Sequence, residues 1–159
     1  MKNKIYFGIL LLSLLQFSCK KDDCFTPPDD LAFTFVNSEN TDVFHSGIYE
    51  LDSLKVFYLN GVVKTPIAYN TVSSAYDSKI YYVFQSAELY EKAWNVNSNS
   101  VFLFQLNSMK TDTLNVHFMQ QTTGDCTLVE FDDLKYNNSS LSFFNAGEAP
   151  LKYAYKIIL

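Results

Sequence analysis

The chain has 159 residues, of which 48% are hydrophobic and 16% aromatic, material for one well-filled core. Its formal net charge is −5 and every basic residue is a lysine, with no arginine anywhere. Nucleic-acid and phosphate partners call for basic patches, often rich in arginine, so nucleic acid is excluded as a partner.

The first element is a targeting segment over 1–18. Lys2 and Lys4 make a positive start, and 5–17 is apolar except for Gly8, Ser13 and Gln16. That run is shorter than the roughly 20 residues a membrane-spanning helix needs, and fits the apolar region of an export signal. Small Ser18 followed by Cys19 resembles the bacterial lipoprotein signal, in which the cysteine is acylated (typically with palmitate) and becomes the mature N-terminus. Gln16 and Phe17 depart from the usual residues of that box. The run Lys20-Lys21-Asp22-Asp23 is similar to the charged surface-export signal of Bacteroidetes lipoproteins. These resemblances imply lipidation at Cys19 and a membrane partner reached through that lipid. They imply a cell outer membrane location facing outward, with a periplasm-facing or secreted protein as the alternative. An ordinary secretory signal, with Cys19 free or trimmed away, is the plainer reading.

Over 19–30 the composition is Lys, Asp, Pro and Thr, stiffened by Pro27-Pro28, and reads as a tether. A single β domain is expected over 31–159. Short runs rich in Phe, Tyr, Val and Ile end in Asn, Ser, Gly or Asp, the rhythm of strands and turns. In 31–37, Leu31, Phe33 and Phe35 share a face. In 54–66, two apolar runs meet at Asn60-Gly61, a pair suited to the positive φ values of a type I′ hairpin turn. The runs 79–85 and 100–106 are nearly continuously apolar, as in strands inside a sheet. A candidate helix, equally readable as a loop or short helical turn, covers 86–94, with Leu89 and Ala93 at i, i+4 spacing, followed by a polar loop at 95–100. In 111–121, Leu114, Val116 and Phe118 alternate with Asn115, His117 and Met119. Strand 127–137 leads through Asn137-Asn138 to 140–144, and 152–159 carries Tyr153, Tyr155 and Ile157 on one face. Eight or nine strands without helical crossovers predict an all-β fold, an antiparallel two-sheet sandwich of immunoglobulin-like or Greek-key type; a small β-barrel is the alternative.

Few residues carry chemistry. With Cys19 lipidated, Cys24 and Cys126 are left in an oxidising compartment, and their pairing in a disulfide is weighed against two free thiols. That bond would close a loop of about 100 residues, worth up to roughly 4.7 kcal/mol in the chain-entropy model. His45 reads as a loop residue, and His117 as a solvent-facing residue on the polar phase of its strand. Neither belongs to a metal-ligand pattern, and nothing calls for a cofactor. Neighbouring residues on a strand point to opposite faces, so Asp132-Asp133 reads as a bulge or bend rather than a catalytic pair. Asp52-Ser53-Leu54 and Asp112-Thr113-Leu114 resemble the O-glycosylation acceptors of Bacteroidetes, which implies possible sites at Ser53 and Thr113; both also read as polar turns leading into strands. Trp94, Tyr90 and Tyr69 are weighed as a sugar-stacking platform against core packing.

The start CKKDD, the strand FTFVN, the strand TDTLNV, the later Asp125-Cys126 and the strand ending KYNN are similar to small uncharacterised Bacteroidetes lipoproteins. That resemblance implies location and a β domain, and supplies no catalytic residues. The expected function is a lipid-anchored cell-envelope protein with a non-catalytic binding or adhesion module for a protein or glycan. An accessory subunit of an envelope assembly, adding a strand through an open edge at 152–159, is the alternative. A hydrolase ranks third, and requires a cleft where His117 or Asp132 meets another polar group.

Overall fold

A computed structural model describes residues 30–94, 99–123 and 126–159, and side chains within these ranges except those of 119–132. The expected signal and tether lie outside the described residues apart from Asp30. Among the described residues eleven strands form two sheets: β1 Leu31–Val36, β2 Lys55–Asn60, β3 Val63–Ile67, β4 Asn70–Tyr76, β5 Lys79–Ser86, β6 Asn99–Gln105, β7 Thr111–Thr123, β8 Cys126–Tyr136, β9 Ser139–Ser140, β10 Ser142–Phe143 and β11 Tyr155–Ile158. One sheet runs β10-β11-β1-β5-β4 and the other β3-β2-β6-β7-β8-β9. They face each other as an all-β sandwich and do not close into a barrel.

The count exceeds eight or nine for two reasons. β4, rich in Ser and Thr, carries no apolar run to announce it. The single strand expected at 140–144 is divided, because the chain changes sheets at Leu141: β9 pairs with β8, and β10 with β11. Nor is the sandwich wholly antiparallel. β1 and β11 pair in parallel, Phe33 beside Tyr155 and Phe35 beside Ile157. Parallel neighbours need a long crossover, and here the crossover is the whole intervening domain rather than a helix. The C-terminal strand is therefore flanked by β1 and β10 and is not the open edge expected from its position.

Alternation places Phe33 and Phe35 toward the second sheet, where Phe35 meets Phe44, Phe84, Phe104 and Tyr136 at ring-centroid distances of 5.6 to 6.2 Å. These near-perpendicular and tilted pairs suit aromatic quadrupoles. The opposite face of β1, with Ala32 and Val36, packs on Tyr81, Val83, Phe144, Leu151 and Ala154. The segment 144–154 thus covers the back of the first sheet, and all six residues of β1 are buried rather than alternate ones.

The β2–β3 hairpin turns at Gly61-Val62, one residue later than expected. Asn60 pairs with Val63, and of the two loop residues only Gly61 has positive φ, at 61°, as in a type II′ turn. Asp77-Ser78 (φ 49° and 60°) and Asn137-Asn138 (φ 46° and 67°) close hairpins in the type I′ manner without glycine. Helix α1, Ala87–Trp94, buries Leu89, Tyr90 and Ala93. Its N-terminus fixes the link between sheets. Ser86 Oγ accepts from Leu89 N and donates to Ala68 O, while Glu88 accepts from Ala68 N.

β1 and β5 pair only as far as Phe33 and Phe84, then part. Residues 41–44 fill the fork: Val36 bridges to Asp42, and Val43 N donates to Phe35 O at 3.1 Å. Asp42 is buried there. Its Oδ1 accepts from Phe44 N and His45 N at 2.9 and 2.7 Å, and its Oδ2 accepts from Tyr82 N at 2.8 Å. Burial raises the Asp42 carboxyl above its ordinary value, opposed by those three hydrogen bonds and by the nearby His45.

Candidate functional site

The polar phase of β7 (Thr113, Asn115, His117) lies on the outward face of the second sheet, because Leu114 and Val116 are buried in the core. Strand register then assembles a cluster. His117 stands beside Asn99 on β6 and Asp133 on β8; Asn115 stands beside Lys135. Asp133 and Lys135 form an ion pair. With Asn138 these residues line a shallow groove of about 250 Å³.

A second, larger concavity of about 410 Å³ opens where the chain passes between sheets, lined in part by Lys110, Asn137, Ser139, Ser140, Ser142 and Lys156. The Asn137-Asn138 turn stands between the two hollows, one residue lining each. Its geometry is held from below. Asn137 Oδ1 accepts from Thr113 N at 2.9 Å, and Asn137 Nδ2 donates to Asp112 Oδ1 at 2.8 Å. Asp112 also accepts from Tyr136 Oη at 2.8 Å and stands 3.7 Å from Lys110 Nζ. Burial, then the hydrogen bond and charge of Asp112, push the Tyr136 hydroxyl far above its ordinary value, so it remains a donor. The site is a row of amides, hydroxyls and ammonium groups on paired strands, able to bind a polar ligand through many directed hydrogen bonds.

His117 lies half-buried on the outward face, beside Asp133. The expected bulge occurs at Asp132: the register shifts between His117 and Phe118, so that Asp133 and Phe131 are paired and Asp132 is the extra residue. His45 is exposed in its loop, 6.1 Å from the Tyr82 ring. Tyr90 and Trp94 stack at 6.4 Å and both meet Phe118 edge-on. Tyr69 lies elsewhere, against Phe84, with its hydroxyl donating to Leu54 O, so the three aromatics do not form one platform. Ser53 Oγ is held between Glu50 O and Leu106 O at 2.6 and 2.5 Å. Thr113 lies half-buried beside Asn137. Cys19, Cys24 and the side chain of Cys126 lie outside the described residues. Among the described residues no three His, Cys, Asp or Glu side chains group as a metal site, and no helix is long and apolar enough to cross a membrane.

Sequence reading gave no site role to Asn99, Asn115, Lys135 or Asn138. The signal was present in the polar phase of β7, but only the register with β6 and β8 brings those residues together. No protein-family model, curated protein or solved structure matches the chain.

Proposed function

We propose that this protein is a lipid-anchored module of the cell envelope whose β-sandwich binds a glycan at the polar face around Asn115, His117, Lys135 and the Asn137-Asn138 turn. The observation that carries the glycan reading is the convergence of three asparagines, a histidine and an Asp–Lys pair in one groove on paired strands and their turn. Amides and charged groups so held match the paired donors and acceptors of sugar hydroxyls, and a ligand bridging the two hollows would also meet Lys110 and Lys156. The lipid reading rests on the apolar signal followed by Ser18-Cys19.

A glycan array probed with the full chain tests the first part. Saturable binding that falls about tenfold in Asn115→Ala and Lys135→Ala, each an outward-facing change worth roughly one hydrogen bond, is the expected result. Binding indifferent to both changes overturns it. For the anchor, a fatty-acid analogue supplied to cells is expected to label the wild type and not Cys19→Ala; equal labelling refutes lipidation.

A further inference from the structure

We infer that the free edge of β4 pairs with the same edge of a second copy of this chain, joining two five-stranded sheets antiparallel about a two-fold axis at Ser73. A sheet edge is a template for another strand, and proteins blunt their edges with charge, proline, shortness or a cover. The other outer strands among the described residues are blunted: β3 carries Lys64 and Pro66, β9 and β10 are two residues each, and the stretch of β8 that β9 leaves uncovered carries a bulge with Glu130, Asp132 and Asp133 in its sequence. β4 is different: Asn70–Tyr76 is seven residues long, without charge or proline, and six of the seven are exposed. Its backbone pairs with β5 on one side, and no hydrogen bond from a described residue reaches the other.

The strand complements itself. A register centred on Ser73 sets Ser73 against its own copy, Val72 against Ser74, Thr71 against Ala75, and Asn70 against Tyr76. No charge falls opposite a like charge, the arrangement that destabilises cross-strand pairs. The chain is acidic, with a formal charge of −5, and two copies repel over most of their surface. From Thr65 to Tyr76 there is no charged residue, so this is a strip where they can approach. Val72 and Tyr76, 38% and 40% exposed, lie on one face of β4 and add apolar contact beside the new ladder. The pairing is isologous and uses the β4 edge of both copies, so it closes as a dimer rather than growing into a fibre.

The test uses the full chain purified in detergent, so that any acyl group stays attached. Sedimentation is expected to show a concentration-dependent dimer. Ser73→Lys, which puts two ammonium groups face to face at the axis, should weaken it at least about tenfold without lowering the melting temperature measured at dilutions where both proteins are monomeric. Ser73→Cys should give a disulfide-linked dimer on mild oxidation in intact cells, and Asp52→Cys, on an exposed turn away from β4, should not. A monomer at every concentration, a dimer indifferent to Ser73→Lys, or cross-linking of the Ser73→Cys variant to a different protein each overturns the inference.

Discussion

Asp42→Asn probes how the first sheet is held open and filled. The carboxyl group offers two acceptor oxygens whether ionised or protonated, and the structure uses both, for three backbone donors. An amide offers one acceptor. If that oxygen faces Phe44 and His45, the amide nitrogen confronts the Tyr82 N–H; the reverse rotamer orphans the two turn donors instead. The change forfeits at least one hydrogen bond to a charged group, about 1.5–3 kcal/mol, and leaves a partly buried donor unpaired, about 1–3 kcal/mol. Removing a buried charge returns part of this, because burial dominates the raised Asp42 pKa. The expected net loss is about 2–3 kcal/mol. Denaturant unfolding followed by Trp94 fluorescence would measure it as a lower midpoint at unchanged slope. The pH dependence has a definite sign. A folded-state pKa above 3.8 means the native state binds the proton more tightly, so this group's contribution is full below about pH 3.8 and is lost as pH rises through the folded value. Wild-type stability should carry that decline, and Asp42→Asn should lack it. A loss below about 0.5 kcal/mol, or identical pH profiles, would refute the role given to Asp42 in holding the fork between β1 and β5.

Other positions give sharper single tests. Thr34 Oγ1 is buried with no hydrogen-bond partner among the described residues, so Thr34→Val is expected to raise stability by about 1 kcal/mol; destabilisation in the same unfolding assay would contradict this. A double-mutant cycle of Tyr136→Phe and Asp112→Asn should return a coupling of about 1–3 kcal/mol, whereas additive losses would mean the hydrogen bond contributes nothing. Phe35→Ala removes the ring that joins both sheets and should cost about 3–5 kcal/mol by calorimetry, with a cost under about 1 kcal/mol incompatible with the packing described.

How far the sequence could be read depended on the range over which each signal acts. The β2–β3 hairpin was legible because Gly61 and its flanking apolar runs are local; the one-residue offset arose because Val62, rather than Asn60, joins Gly61 in the turn. The bulge at Asp132 was legible from two adjacent acids that cannot both face one side. β4 was not, since Thr, Ser and Ala make a weak apolar pattern and its turn lacks glycine. The double burial of β1 depends on a cover more than 100 residues later in sequence, at 144–154, and no local pattern announces it. The candidate site falls between these cases. Half of it is written in the alternation of β7, and half exists only through strand register.

The most direct test of the glycan-binding account is amide NMR of the protein titrated with a panel of oligosaccharides. The account predicts saturable shifts for at least one sugar, concentrated at 113–117, 133–140 and Lys156. Shifts confined to another surface, or none across the panel, would contradict it.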